Sequence, residues 1–353
     1  MSNYTTSSYL FDETSSQDRA WSELIPLVLS QREAIRDFFA GIEAVIFTGC
    51  GSALNVSYSA APLFQMLTGV SARAVPAAET YLFPQAYLPA GRKTAAVVLS
   101  RSGQTTEVMQ SLETFQGHGM PVMGITCTAD SPLSRASDLS LVLTPVTEQA
   151  IATTRSLTGM ILAVQLVSGV LAGEAAFLDE LHRLPEVFAD RKEDCLALGK
   201  VVGEQADLTR FAFVGNGPFY GLARECQLKI KEMTLMPADA YPMFDFRHGP
   251  QSNVNAQMLV TAFLSDSASQ QESQFLEDMR SLGGSIWAIV EQADPRLRQV
   301  ADHVLELRSH LSELARLPLY LPAVQYMAYY RALALGLNPD EPRNLSYWIE
   351  ISR

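Results

Sequence analysis

The sequence predicts an α/β protein made of two doubly wound domains in tandem, each a parallel sheet flanked by helices. Three observations point there. The chain has 353 residues, and at about 100–200 residues per domain that is two domains' worth. Short apolar runs alternate with helical stretches, which is the rhythm of parallel βαβ units. The rhythm then recurs: FTGCGSALNVSYSAAPLF (47–64) matches FVGNGPFYGLARECQLKI (213–230) in pattern. Gly49 precedes Gly215 by 166 positions, Ser100 precedes Ser265 by 165, and Asp138 precedes Asp302 by 164. Doubly wound domains all share some of this rhythm, but three anchors with so little drift favour two copies of one domain.

The elements follow in order. Trp21, Leu24, Ile25, Val28 and Leu29 keep helical spacing after Ser15-Ser16-Gln17-Asp18, a run of capping residues, so residues 1–40 read as an N-terminal helical arm. AVIFTG is a strand, followed by a helix from Asn55 to Leu67. TAAVVLS is the next strand, Thr105–Gly117 is helical, and PVMGITC and LSLVLTP are further strands. The first domain runs over 41–195. The second covers 196–353 with a C-terminal tail, and the two join near ADRKEDCLALGK. The apolar run from Met160 to Gly173 is shorter than the roughly 18–20 residues of a membrane span and is interrupted by Gln165 and Ser168, so it reads as a buried helix.

Composition narrows the function. With 48% apolar and 18% charged residues the chain is neither disordered nor fibrous. A net charge of −12, with Lys and Arg scattered singly or in twos, disfavours nucleic acid and anionic membranes as partners. The polar, acidic start MSNYTTSSYLFDETSSQD has no signal-peptide pattern, so a cytoplasmic location is expected. Four dispersed cysteines (Cys50, Cys127, Cys195, Cys226) make no CxxC, and the five histidines have no ligand spacing. Neither a disulfide framework nor a metal site is expected.

In a parallel sheet, ligands bind where strand ends meet helix N-termini. GCGSALN has glycines for close backbone approach. However, Leu54 stands where a dinucleotide fingerprint wants a small residue, and no acidic residue follows about 20 positions on, which disfavours a nucleotide cofactor. LSRSGQTTE sets Ser100, Ser102 and Thr105 around Gly103 at a helix start, a cradle for a monophosphate, although Ser and Thr there can also merely cap the helix. TEQAIATTRS brings Thr153 and Thr154 to the start of the buried helix, as caps or as ligand contacts. Glu225, Lys229 and Glu232 share one face of a helix that begins at Pro218. A solvated, salt-bridged face is the plain alternative, but Cys226, Leu228, Ile230 and Met233 leave little polar surface. A partly buried Glu balanced by Lys229 is suited to general-base work. His248, in FRHGP, lies on a loop; a lone loop histidine is often only structural or solvated.

GCGSALN, LSRSGQT, TEQAIATTRS, ECQLKIKE, DAYPMFDFRHGP and DEPRNL, in this order, resemble the tandem sugar isomerase (SIS) domain family. The likeness is to the isomerase region of glutamine–fructose-6-phosphate amidotransferases and to free-standing SIS deaminases and deglycases. The resemblance implies a flavodoxin-like fold in both domains. It implies that Ser52, Ser100, Arg101, Ser102 and Thr105 hold a sugar phosphate, with Thr153 on the sugar. Glu232 would be the base that moves a proton between C1 and C2, and Lys229 its partner. His248 would open the sugar ring from the neighbouring subunit of a homodimer. No cofactor is implied. Three departures stand out. Tyr347 occupies the position of the synthase's lysine after PRNL, and MSNY supplies no N-terminal Cys nucleophile for drawing ammonia from glutamine. Met243-Phe244-Asp245 replaces a small, Gly-containing stretch and is expected to reshape the pocket beside His248. The expected activity is an isomerising deaminase of an aminosugar phosphate such as glucosamine 6-phosphate. A deglycase, a plain aldose–ketose isomerase and a non-catalytic sugar-phosphate sensor are the alternatives.

Overall fold

The structure is a computed structural model describing residues 8–88 and 91–351. Its two sheets are built alike. The first contains β1 (Ala44–Gly49), β2 (Ser71–Pro76), β3 (Thr94–Leu99), β4 (Val122–Thr126) and β5 (Leu139–Val142), ordered β2-β1-β3-β4-β5. The second contains β6 (Arg210–Val214), β7 (Ala238–Tyr241), β8 (Met258–Phe263), β9 (Ser285–Val290) and β10 (His303–Glu306), ordered β7-β6-β8-β9-β10. Every pairing is parallel. Each sheet therefore reverses its strand order between its first and third strands, and this is where a parallel sheet opens a crevice at its carboxyl end.

β2 and β7 were not legible as strands. Both are edge strands with mostly half-exposed residues, SARAVP and ADAY, and so lack the continuous apolar run of a buried parallel strand. The N-terminal region is three helices, Tyr9–Ser15, Gln17–Leu29 and Arg32–Phe38, rather than one. Ser16 does not cap the second of them; its hydroxyl turns back to the Glu13 carbonyl. Nor do these helices project as an arm: Trp21 is fully buried, and its Nε1 donates to Thr158 Oγ1 at 3.2 Å. A 29-residue helix, Ala175–Gly203, runs through position 195, where the sequence divides the chain.

Strand residues alternate between two environments. Val45 and Phe47 of β1, with Phe211 and Phe213 of β6, face one continuous core shared by both halves. Ile46 faces an outer core under the Thr106–Gly117 helix, and Ala212 and Val214 face a second outer core under the Ser269–Ser281 helix. Helices from both halves fill the shared layer. Among them is Arg155–Ala172, which by length and apolarity matches a membrane span. It is longer than the sequence reading allowed and is 83% buried inside the protein. Gln165 on this helix donates to the carbonyls of Leu314 (2.5 Å) and Ala315 (2.9 Å), which ties the first half to the second.

The closest crossing between the halves sets Ser52–Thr68 against Pro218–Thr234. Gly221 makes it possible: a Cβ there would lie 2.2 Å from Ser59 Oγ and 2.5 Å from the Asn55 carbonyl oxygen. Substituting Gly221→Ala forces these helices apart and is expected to cost about 1–3 kcal/mol, an overpacking penalty read as a lowered midpoint in urea unfolding.

Candidate active site

Three loop–helix junctions and the last turn of a fourth helix converge at the carboxyl end of the first sheet. β1 ends in Gly49-Cys50-Gly51, and the Ser52–Thr68 helix starts at once. β3 ends in Ser100–Thr105, ahead of the Thr106–Gly117 helix. The loop before Arg155–Ala172 brings Thr153, and the Pro218–Thr234 helix brings Glu232. Together with Leu345–Ile349 of the C-terminal tail they enclose a cavity of about 190 Å³.

The loop after β3 is a tight turn held by its own serines. Gly103 has φ +65°, and a Cβ there would sit 2.2 Å from Ser131 Oγ, so the tight turn admits only glycine. Ser100 Oγ accepts from the Gly103 N–H at 3.0 Å, and Ser102 Oγ accepts from Gln104 N–H at 3.3 Å. Thr105 occupies the N-cap without a side-chain capping bond, so its hydroxyl faces the cavity uncommitted, against the plain capping alternative.

Arg101 lines the cavity, and its guanidinium is also engaged by the surrounding chain. Its guanidinium donates to Glu148 Oε1 (3.0 Å) and to the carbonyls of Ala150 (2.8 Å), Ile151 (2.9 Å) and Tyr347 (3.1 Å). It also stacks 3.9 Å from the centre of the Tyr347 ring. The Tyr347 hydroxyl donates to the Glu148 carbonyl at 3.0 Å, so this side chain clasps the tail onto the third loop. Ser52 and Thr153 line the cavity and are also bound to a carboxylate behind it: Ser52 Oγ donates to Glu225 Oε1 at 3.0 Å, and Thr153 Oγ1 lies 2.8 Å from Ser52 Oγ.

The Glu225, Lys229 and Glu232 stripe faces inward, not to solvent. Glu225 and Lys229 are 2% and 1% exposed. Lys229 Nζ lies 3.3 Å from Glu225 Oε1 and 2.5 Å from Glu232 Oε2, and donates to Thr153 Oγ1 at 3.2 Å. Burial alone would favour the neutral amine, but the Glu232 and Glu225 carboxylates override it and hold the Lys229 ammonium above its ordinary pKa. Burial pushes the Glu225 carboxyl up, and Lys229 partly offsets this. Only Glu232 of the three opens onto the cavity. The cluster is thus a fixed ammonium that orients one cavity-facing carboxylate, backed by a second, inaccessible one.

His248 is exposed at the turn after Asp245–Arg247 and does not line this cavity. Met243 and Phe246 are buried in the outer core of the second sheet, with Phe244 packed against them. Cys50 lines the cavity, but burial, with Glu107 nearby, pushes its thiol up to about 12, which keeps it protonated at neutral pH. Among the described residues there is no cluster of three or more metal-ligating side chains.

Sequence reasoning missed three residues. Asn55 donates to Glu225 Oε2 at 3.0 Å. Glu148 gathers the N–H groups of Thr154 (3.0 Å) and Ser156 (3.1 Å). Glu13, 4% exposed, accepts from the N–H groups of Gln149 (2.5 Å) and Ala150 (3.2 Å), bracing the third loop from the N-terminal helices. The only signal for them was a polar residue inside an otherwise apolar or loop motif.

The architecture is that of a tandem α/β protein with a serine- and threonine-rich loop in one half and a buried Glu–Lys–Glu helix face in the other, meeting at one cavity. Residues 39–168 and 206–335 each match the SIS domain, and the chain belongs to the SIS family. It is 26% identical over 350 residues to the glutamine–fructose-6-phosphate aminotransferase (isomerizing) of Sulfurisphaera tokodaii, covering 97% of this chain and 56% of that protein. To the Xylella fastidiosa protein of the same name it is 29% identical, covering 87% of this chain and 52% of the relative. The chain therefore spans about half the length of these relatives. Among solved structures it superposes on the C-terminal domain of glucosamine-fructose-6-phosphate aminotransferase from Francisella tularensis with a TM-score of 0.85 at 21% identity, covering 97% of this chain and 100% of that one. For glucosamine-6-phosphate deaminase from Thermotoga maritima the TM-score is 0.74 at 25% identity, with 92% and 99% covered.

Glu13 gives the third loop a pH dependence. Burial is the main cause that raises its carboxyl to about 7. An acid raised on folding binds more protons in the native state than in the unfolded one. Its stabilising contribution is therefore complete below about pH 4.5 and lost as pH rises through about 7. Thermal midpoints are expected to fall between about pH 5 and about pH 8, and Glu13→Gln to flatten that slope.

Proposed function

We propose that the chain moves a proton between C1 and C2 of a phosphosugar, and that the substrate is an aminosugar phosphate such as glucosamine 6-phosphate. Glu232 takes the C2 proton of the opened sugar and returns it to C1, which converts the 2-amino aldose into a C2 imine. Water then hydrolyses the imine to ketose phosphate and ammonia. The substrate's own carbonyl acidifies the C2 proton; the carbonyl oxygen takes up a proton as C1 becomes an alcohol carbon, and the amino nitrogen gives one up as the imine forms. One observation carries this reading: Glu232 opens onto the same cavity as Ser100, Ser102 and Thr105, with Lys229 fixed 2.5 Å from its oxygen. The phosphate loop and the carboxylate are thus presented to one ligand. The likeness to a glucosamine-6-phosphate deaminase supports the amino-group part, and a cytoplasmic location fits a phosphorylated substrate.

Incubation in D2O with a panel of hexose and hexosamine 6-phosphates is expected to give deuterium at C1 or C2, with ammonia from the amino sugars. Glu232→Gln is expected to abolish exchange while leaving phosphate-ester binding nearly unchanged. Binding without exchange for every sugar would instead make the chain a sensor, and exchange without ammonia would make it a plain aldose–ketose isomerase.

His248 completes the site from a second copy of the chain, which accounts for its exposure away from its own cavity. Mixing Glu232→Gln with His248→Ala, each inactive alone, is expected to restore about a quarter of the parental rate, since half of the dimers are then mixed and each holds one intact site. Absence of any recovery after subunit exchange argues against a shared site.

A further inference from the structure

The two halves carry the same loop with opposite charges beside it. After β8, Ser265 Oγ accepts from the Ala268 N–H at 3.1 Å, the counterpart of the 3.0 Å bond between Ser100 Oγ and the Gly103 N–H. The 165-residue offset pairs Arg101 with Asp266, Ser102 with Ser267, and Glu148 with Glu313. The carboxylates end up in different places. Glu313 Oε2 accepts from the Asp266 N–H (2.9 Å) and the Ser267 N–H (3.3 Å), and its Oε1 accepts from the Ser267 hydroxyl at 2.6 Å. The second loop thus holds the chain's own carboxylate on its backbone N–H pair. In the first half Glu148 is bonded to Arg101, Thr154 and Ser156 instead. The N–H groups of Arg101 and Ser102, which match those that Glu313 occupies, have no hydrogen-bond partner among the described residues.

Charge explains the difference. Arg101 offers Glu148 an ion pair that is only 9% exposed on the Arg side and fully buried on the Glu side. Asp266 offers Glu313 only repulsion and is itself drawn to Arg316 at 2.6 Å. We propose that Arg101 is a positioning residue whose guanidinium holds the Glu148 carboxylate off the N–H pair of its own loop. That leaves the first loop open to the substrate phosphate, while Asp266 leaves the second loop closed by Glu313. The chain then takes one phosphate. The inference rests on reading the Ser100–Thr105 loop as the phosphate site.

Calorimetric titration with inorganic phosphate tests it. The parent is expected to bind one phosphate per chain. Arg101→Met, which keeps the bulk but removes the ion pair from Glu148 and leaves it only the Thr154 and Ser156 bonds, is expected to bind about tenfold more weakly or worse, because a carboxylate then competes for the N–H pair. Arg101→Lys is expected to stay within about threefold of the parent, and so is the double variant Arg101→Met with Glu148→Gln, which removes both the hold and the competitor. If the double variant stays as weak as Arg101→Met, Arg101 contacts the phosphate itself and the proposal is overturned; parental binding by Arg101→Met overturns it too. Two phosphates per parental chain would overturn closure of the second loop. No phosphate binding by the parent would instead bring down the functional reading beneath it. Should Arg101→Met not fold, the double variant, free of an unpaired buried charge, carries the test.

Discussion

Placing an ammonium and a carboxylate out of water is the constraint around which the rest of this molecule is arranged. Lys229 and Glu225 are almost fully buried, and neither could remain so without partners at hydrogen-bond distance. Each is a partner of the other, Glu232 of the same helix closes on Lys229, and the remaining partners come from the other half of the chain. Ser52 and Asn55 satisfy Glu225, and Thr153 satisfies Lys229. The site therefore exists only at the seam, and only at the close helix crossing that Gly221 permits. What looks like packing detail is the condition for an oriented Glu232.

The tandem repeat explains how labour is divided. Both halves retain the same strand order and the same serine-anchored turn, yet in the first half the N–H groups after the strand are unoccupied by a carboxylate among the described residues, and the second half carries the charged helix. Duplication of a domain gives two sheets with two equivalent crevices. Positions 101 and 266 carry opposite charges, and the carboxylates beside them sit differently: Glu148 pairs with Arg101, whereas Glu313 sits on the N–H groups of Asp266 and Ser267.

Much of this was legible because it follows from periodicity. Continuous apolar runs gave the central strands, and the helical spacing of Glu225, Lys229 and Glu232 put them on one face. The edge strands β2 and β7 were invisible because half-exposed residues carry no strong pattern. Glu13, Asn55 and Glu148 were missed for a different reason. Their roles depend on partners 136 to 170 residues away, or on a loop's fold, and no local spacing encodes that. The bonds of Arg101 to the third loop and the tail were not legible either, because its position within the loop motif says nothing about those distant carbonyls.

The Arg155–Ala172 helix has a consequence for how the chain reaches this structure. Its apolar surface is covered from both sides of the repeat, and Gln165 bonds to carbonyls that lie 149 and 150 residues further along the chain. Until that later segment has been synthesised, a stretch as apolar as a membrane span has no complete cover. Closing such long loops is slow relative to local helix formation. The cover of this helix is thus completed only by chain that follows it by about 150 residues, so its burial is a late, long-range event in folding.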